Sequence, residues 1–359
     1  MSCHEEAIGA PTAVRQLIRL LLGTPFVALM TLIVALVATS LADFSFRDPD
    51  HVAALYVLEV GAGVLLLVGI DVYLRAWRRN GRRRPSLDLL REVRRERWTA
   101  RRGLAVALAI VSFYVAYLAY RNLKASVPLL RPDVLFDSEL AEVDRLLFFG
   151  HDPAVLVHDL LGVGFQTHVI SVLYIAFIVF LPLSLGVALV FANRLEVSLF
   201  YATALSLNWI LGAASYFLLP ALGPIYYDPA TFSALPHSEV TNLQQMLLDD
   251  RIGFLSDPAT GTPQAIAAFA SLHIAMSFTA LLSAYLFDLS RALKRGLWIW
   301  LGITTVATVY LGWHYFVDDI AGLAIGAAAL VLARLITGWD PRAARAGGFV
   351  RGVSRRAAI

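Results

Sequence analysis

The sequence predicts an all-α integral membrane protein that crosses the bilayer about eight times. Three observations support this fold class. The 359 residues are 58% hydrophobic and only 16% charged, which is far from the composition of soluble domains. A spanning helix needs roughly 20 mostly apolar residues, and about eight such runs follow one another along the chain. Basic residues gather in alternate connecting segments, as the positive-inside rule requires.

The spanning runs are separated by short polar segments or longer loops. They lie near residues 24–43, 52–74, 103–121, 168–192, 197–219, 270–288, 297–312 and 316–337. The first run is long and lacks a small-residue cleavage pattern, so it is expected to remain as an anchor and not to be removed as a signal peptide.

The basic residues predict the orientation in the membrane. Arg occupies 12 of the 28 positions from Arg75 to Arg102, and the tail after residue 338 is also basic. These segments are expected in the cytoplasm. Eight helices then place both termini inside and leave the segments 44–51, 122–167 and 220–269 outside. The excess of Arg over Lys, with abundant Ala and Gly, is typical of a bacterial protein, so we expect a bacterial-type plasma membrane.

Three parts of the chain are predicted. Residues 1–102 comprise an N-terminal tail, a transmembrane hairpin and an Arg-rich cytoplasmic loop; residues 103–337 form a six-helix membrane core; residues 338–359 form a basic cytoplasmic tail. The Arg-rich loop could bind nucleic acid as a basic helix, but next to spanning helices we expect it to meet anionic lipid headgroups. On the outer side, residues 136–162 predict an interfacial helix that is broken around Gly150 to Pro153.

Two histidines are expected to meet at the outer face. Between His273 and His314 lie 40 residues, enough for one helix into the bilayer, a short basic turn and one helix back. Ser271 and Leu272 stand where the first of these helices begins, and the backbone N–H groups of a helix N-terminus attract anions such as phosphate. Asp318 follows His314 by four residues, so on a helix its carboxylate can hold one ring N–H and leave the other nitrogen for a substrate.

A metal site is the main chemical alternative at these residues, because His, His and Asp are ordinary ligands. No third imidazole or further carboxylate falls at an obvious ligand spacing, so we expect no metal and no other cofactor. Asp319 points about 100° away from Asp318 on a helix, and is expected to meet water or a basic group.

At these residues the sequence resembles the phosphatidic acid phosphatase type 2 superfamily of membrane lipid phosphatases and phosphotransferases. "SLH" (271–273) is similar to the Pro-Ser-Gly-His motif in the form found in inositol phosphorylceramide synthases, and "HYFVD" (314–318) is similar to their His-Tyr-x-x-Asp. The resemblance covers residues 103–337 and implies metal-independent phosphoryl transfer in two steps. His314 would be the nucleophile and become a phosphohistidine, Asp318 would orient it, and His273 would act as the general acid and base.

The phosphate-binding cations depart from the family pattern. Ala307 and Thr308 stand where its Ser-Arg pair is expected. "KASVPLLRP" (124–132) resembles the family's Lys-x₆-Arg-Pro motif, although it comes earlier than usual. Lys124 and Arg131 are therefore candidates to bind phosphate, with the equal alternative that they anchor the outer interface by snorkelling. Arg251 is the reserve candidate, and Tyr226 and Tyr227 are candidates to line a headgroup pocket.

The expected function is a membrane phosphotransferase that moves a phosphorylated polar headgroup, inositol-phosphate-like, between lipids. One alternative is a lipid phosphatase acting on a polyprenyl phosphate, polyprenyl diphosphate or phosphatidate. Another, from a different class, is a transporter or non-catalytic lipid-binding protein, but matching halves with charges at the membrane midplane are not found in the sequence. The expected partners are membrane lipids, with a lipid alcohol as a possible acceptor, and no nucleic acid; the sequence indicates no oligomeric state.

Overall fold

The computed structural model describes residues 3–48, 52–263 and 266–340, and all regular structure within these ranges is helical. The α-helices are α1 (Cys3–Leu41), α2 (Val52–Arg79), α3 (Leu87–Arg97), α4 (Ala100–Leu130), α5 (Asp137–Leu147), α6 (Pro153–Leu161), α7 (Phe165–Phe191), α8 (Leu195–Leu218), α9 (Pro224–Tyr227), α10 (Glu239–Ser256), α11 (Leu272–Leu286), α12 (Arg291–Tyr310) and α13 (Phe316–Thr337). The all-α prediction is confirmed for this part of the chain. Most of the predicted basic tail, residues 341–359, lies outside the described residues.

Among the described residues, six helices are long and apolar enough to cross a membrane. These spans are Val14–Leu41, Leu58–Arg79, Ala100–Leu130, Phe165–Phe191, Leu195–Leu218 and Phe316–Thr337. The other two predicted runs are also helical: α11 is apolar but has only 15 residues, and α12 begins with three basic residues in its first five. Each of the eight predicted runs thus coincides with a helix, as expected for a multi-pass membrane protein.

Helix α8 lies at the centre of the bundle. It packs against α1, α4, α7, α11 and α13, and 78% of its most apolar stretch is buried. The buried Asn208 amide donates to the Thr279 hydroxyl of α11 at 3.2 Å. Hydrogen bonds between membrane helices add to the van der Waals packing that holds them together. The helix that carries His273 is thereby tied to the central helix.

The two N-terminal helices, expected as a hairpin, pack on different parts of the core. α1 lies against α4, α8 and α13, whereas α2 lies against α7 and α3. Part of the Arg-rich segment is used inside the protein. Arg97 and Arg102 both donate to the Ala192 carbonyl at the C-terminus of α7, at 2.6 and 2.9 Å, where a helix favours cations.

The segments that were expected outside the membrane are more helical than the hydropathy predicts. The predicted interfacial region forms α5 and α6, with the expected break at residues 148–152. Helix α4 continues to Leu130, well past the predicted end near residue 121, because its last turns are packed and not solvated: Ala125 is buried against Phe44 and Phe254. Lys124 therefore lies on a helix, although a place in the outer loop was predicted for it.

Helices α11 and α13 approach each other at two glycines. A Cβ atom on Gly322 would overlap the Ser271 carbonyl oxygen, and one on Gly326 would lie 2.5 Å from the Ala275 carbonyl oxygen. Glycines four residues apart allow such close backbone contact between membrane helices. This contact sets the distance between the first turns of the two helices, which carry His273 and Asp318.

Gly322→Ala should destabilise the protein, because the added methyl group meets backbone atoms of α11 that have no freedom to rotate away. Overpacking of this kind costs typically about 1–3 kcal/mol, so we expect a lower thermal unfolding midpoint in detergent. Gly69→Ala is the matched control, since no atom lies within 4 Å of a Cβ at that position on α2. Equal midpoints for the two variants would contradict the close-contact interpretation.

Candidate active site

His314 is held in the short connection between α12 and α13. Gly312, with φ of 71°, turns the chain after α12, and the His314 side chain is buried with 5% exposure. Its Nδ1 lies 2.9 Å from the Ala268 carbonyl oxygen and 3.4 Å from Asp318 Oδ2. Its Nε2 lies 3.3 Å from Nδ1 of His273. The structure therefore brings together the three residues that the sequence predicted as catalytic.

These contacts determine which ring nitrogen of His314 is available. A carbonyl oxygen only accepts hydrogen bonds, so Nδ1 carries the proton and donates it to Ala268. Nε2 is then the nitrogen with a free electron pair, and it faces His273. Burial lowers the pKa of His314 to about 3. The hydrogen bond to the Ala268 carbonyl raises this pKa, whereas the charge of Lys124 lowers it. The imidazole is neutral at physiological pH, as a nucleophile requires.

His273 is the second residue of α11 and is packed between aromatic rings of α7. Its ring centroid lies 4.9 Å from that of Tyr174 and 4.5 Å from that of Phe177. The Ser271 N–H, predicted to bind phosphate, donates to the Asp318 carbonyl oxygen at 3.0 Å. Leu272 is the first residue of α11. The first hydrogen bond of the helix runs from the Ala275 N–H to the Ser271 carbonyl oxygen. The N–H groups of Leu272 and His273 thus precede the intrahelical bonds of α11.

Asp318 and Asp319 are both buried, with 0% and 3% exposure. Asp318 Oδ2 accepts the Tyr315 N–H at 2.9 Å, which stabilises the first turn of α13. Asp319 accepts from the Thr308 hydroxyl at 2.9 Å, so the expectation that it meets water or a basic group is wrong. Thr308 stands where the family motif has its Arg.

Within the described residues, no group of three or more His, Cys, Asp and Glu side chains is arranged to hold a metal ion.

The three candidate phosphate-binding cations lie in two places. The charge of Lys124 acts in the direction that lowers the pKa of both imidazoles, and its ammonium lies 5.8 Å from the centroid of the Tyr216 ring. Arg131 ends α4, and its guanidinium donates to the Phe217 carbonyl oxygen near the end of α8. Arg251 lies on α10. Burial lowers the pKa of its guanidinium, whereas the charge of Asp137 raises it.

Two carboxylates that the sequence reasoning missed join α5 to the site. Asp137 accepts from the backbone N–H groups of Leu222 and Gly223 at 2.8–3.0 Å and from the Tyr315 hydroxyl at 3.0 Å. Asp144 accepts from the N–H groups of Phe316 and Val317 at 2.7 and 2.9 Å, at the positive end of α13. The signal in the sequence was their spacing of seven residues, which puts both on one face of a helix.

The tyrosines expected near a headgroup pocket are found beside one of these carboxylates. Tyr226 and Tyr227 line a cavity of about 280 Å³ together with Asp137 and Leu222. The Tyr226 hydroxyl donates to the Gln244 carbonyl oxygen at 3.0 Å. This cavity lies against the connection that follows α8.

Asp144→Asn should change how stability depends on pH. Burial raises the pKa of Asp144 to about 6 from the usual 3.8, although the N–H groups of Phe316 and Val317 act in the opposite direction. A carboxyl with a raised folded-state pKa stabilises the protein at low pH, and this contribution is lost as the pH rises through about 6. Between about pH 4.5 and pH 7, the unfolding midpoint of the wild type should therefore fall relative to that of Asp144→Asn. Glu142→Gln removes an exposed carboxyl from the same helix as a control, and an equal pH response in all three proteins would contradict the assignment.

Comparison with known proteins identifies the family. The sequence profile of the PAP2 (phosphatidic acid phosphatase type 2) superfamily matches residues 138–332, more than half of the chain and the part that contains His273, His314 and Asp318. Searches of curated proteins and of solved structures found no match. Members of the superfamily are generally phosphatases or phosphotransferases. Because the match covers more than half of the chain, and six helices in the described part are apolar and of spanning length, this protein is a multi-pass membrane member of the PAP2 superfamily.

Proposed function

We propose that this protein transfers a phosphoryl or phosphodiester group of a membrane lipid through covalent attachment to His314. The observation that supports this most directly is the contact of His314 Nε2 with His273 Nδ1 at 3.3 Å, while His314 Nδ1 is bound to the Ala268 carbonyl oxygen. One imidazole is thus held with its electron pair toward a second imidazole, which is positioned to exchange protons beside it. Attack on phosphorus requires the two rings to separate, because His273 Nδ1 occupies the space beside Nε2.

In the first step, the Nε2 electron pair of His314 attacks phosphorus, and the bond from phosphorus to the leaving oxygen breaks. His273, present as the imidazolium, gives a proton to that oxygen and becomes neutral, so the leaving group departs as an alcohol. The phosphorylated imidazole carries a positive charge, and its Nδ1–H faces the Ala268 carbonyl and Asp318. In the second step, His273 takes the proton of the acceptor hydroxyl, whose oxygen attacks phosphorus and releases His314. General acid–base help of this kind contributes roughly 10²- to 10⁴-fold.

Lys124 is proposed to neutralise the phosphate during both steps. It supplies the positive charge that the family motif would place at position 308, where this chain has Thr. Its charge acts on both imidazoles, so a phosphate between them lies within reach of its field. The N–H groups at the start of α11, at Leu272 and His273, are proposed to bind a phosphate oxygen.

Within this reaction class we propose headgroup transfer to a lipid alcohol, as in inositol phosphorylceramide synthases, on the outer leaflet. The resemblance of "HYFVD" to the motif of those enzymes supports this choice. The aromatic surroundings of His273, formed by Tyr174 and Phe177, also favour it because they leave little room for water. Hydrolysis of a lipid phosphate by the same residues is the second candidate.

His314→Ala should lower activity by at least about 10³-fold, since no other group can form the covalent intermediate. Asp318→Asn should cost less, about 10²-fold, because the Ala268 carbonyl still holds Nδ1. The assay uses protein in nanodiscs with EDTA, a panel of phospholipids and polyprenyl phosphates, and diacylglycerol or ceramide as acceptors, with products read by mass spectrometry. A new phosphodiester lipid indicates a transferase, and free phosphate indicates a phosphatase.

The control for these variants is His151→Ala, which removes an exposed histidine of the segment between α5 and α6. It should keep full activity. Full activity in His314→Ala would refute the nucleophile assignment, and no product from any lipid with the wild type would favour a transport or binding protein.

Lys124→Gln should raise KM about tenfold with a smaller change in kcat, as expected when an interaction is made equally in the ground state and the transition state. Arg145→Gln is the matched control, because it removes an exposed cation from the outer helix α5. If Lys124→Gln and Arg145→Gln behave alike, Lys124 is an interfacial anchor and not a phosphate ligand.

A further inference from the structure

Asp319 is a buried acidic residue that the proposed reaction does not use. Its side chain is only 3% exposed. Within the described ranges, no Lys, Arg or His nitrogen lies within 4.0 Å of its carboxyl oxygens. An acidic residue buried in a membrane bundle is costly, and such residues typically mark functional positions. The contacts of Asp319 therefore indicate what it does.

Asp319 connects the two helices on either side of the loop that carries His314. Its Oδ2 accepts from the Thr308 hydroxyl at 2.9 Å, so the first turn of α13 is bound to the last turn of α12. The carbonyl oxygen of Thr308 in turn accepts the N–H groups of Trp313 and His314, at 3.0 and 3.4 Å. Thr308 thus holds the backbone of the loop through its carbonyl group and α13 through its hydroxyl group.

Asp319 also borders the start of α11. The Ser271 hydroxyl is fully buried and lies beside the Asp319 carboxyl group. In the described part of the chain, neither this hydroxyl nor Asp319 Oδ1 has another hydrogen-bond partner. Ser271 is the N-cap of α11, and His273 is two residues further on. The Asp319 side chain thus touches the elements that carry His273 and His314, and its backbone neighbour is Asp318.

The two neighbouring acids have different contacts. Asp318 Oδ2 accepts the Tyr315 N–H at 2.9 Å and lies 3.4 Å from His314 Nδ1. Successive residues on a helix point about 100° apart, so Asp318 faces the imidazole whereas Asp319 faces α12. Asp318 can therefore orient the ring of His314, and Asp319 can fix the backbone that carries this ring.

We propose that Asp319 is a positioning residue for His314, acting through Thr308 and Ser271. It holds the loop and the start of α11 together, so that His314 stays buried beside His273, and it does not touch the substrate. A displacement of about 1 Å in a reacting group can lower a rate roughly 10²-fold. The effect on catalysis rests on the function proposed above, whereas the effect on the position of His314 does not.

Acylation of the histidines by diethyl pyrocarbonate tests the position of His314 without turnover. The full-length protein is treated in phosphatidylcholine nanodiscs, and mass spectrometry gives the acylation rate of each histidine. In the wild type, His314 should react at least about tenfold more slowly than the exposed His151, because it is buried. Thr308→Val keeps the shape of the side chain without the hydroxyl, and it should accelerate acylation of His314 about tenfold because local opening becomes easier. Thr308→Ser keeps the hydroxyl and should react as the wild type does.

Thr304→Val is the matched control. Thr304 is a buried residue one turn earlier on α12, and its hydroxyl donates to the Trp300 carbonyl oxygen of the same helix at 2.8 Å. The Thr308 hydroxyl also contacts a carbonyl oxygen of its own helix, that of Thr305 at 2.9 Å. The control thus removes an intrahelical bond but no bond to α13. Asp319→Leu should expose His314 as Thr308→Val does, and the double variant should add little, as expected for two residues of one contact.

The activity assay then measures the consequence for the reaction. Thr308→Val should lower kcat about tenfold and change KM less than about twofold, because the groups proposed to bind the substrate remain. Thr308→Ser and Thr304→Val should keep the kcat of the wild type. The proposal is wrong if His314 is equally protected in Thr308→Val, Thr304→Val and the wild type, or if Thr308→Val exposes His314 without lowering kcat. If Thr308→Val alone exposes His314 but the wild type transfers no lipid group, the proposed function fails and the positioning of His314 by Asp319 stands.

Discussion

The close backbone contact between α11 and α13 is the constraint on which the candidate site depends. Gly322 and Gly326 leave no side chain between the helices, and the Ser271 N–H donates to the Asp318 carbonyl at 3.0 Å. His273 and Asp318 lie in the first turns of these helices, so the same contact brings both residues to His314. In lipid, where apolar surface gives little drive for association, such contact depends on packing and hydrogen bonds. Small residues at these two positions are thus needed to hold the candidate catalytic residues together, although neither glycine lies in the site itself.

Helix α5 completes the site from beside the bundle. Asp144 accepts the first two N–H groups of α13, and Asp137 ties the Tyr315 hydroxyl to the backbone after α8. These carboxylates satisfy backbone donors that would otherwise be left unpaired at a buried helix end. Helix α5 therefore acts as a support for the loop that carries His314, in addition to any contact it makes with the membrane interface.

The distribution of charge distinguishes this chain from the family motif. At the place of the motif Arg, Thr308 donates to the buried Asp319, so this part of the site holds a neutral donor and an acid instead of a cation. The candidate cations Lys124, on α4, and Arg131, just after it, both precede the matched range that begins at residue 138. The proposed phosphate chemistry thus draws on a helix outside the family match.

The sequence by itself determined the helical membrane fold and the candidates His273, His314 and Asp318, because hydropathy and the i,i+4 spacing are local properties. It also indicated the broken interfacial helix. Only the tertiary structure decided the partners of these residues: the Ala268 carbonyl as the acceptor of His314 Nδ1, the burial of Asp319 on Thr308, the extension of α4 through Lys124, and the roles of Asp137 and Asp144. Each of these contacts joins positions far apart in the chain, and a carbonyl group has no residue type that a sequence pattern could reveal.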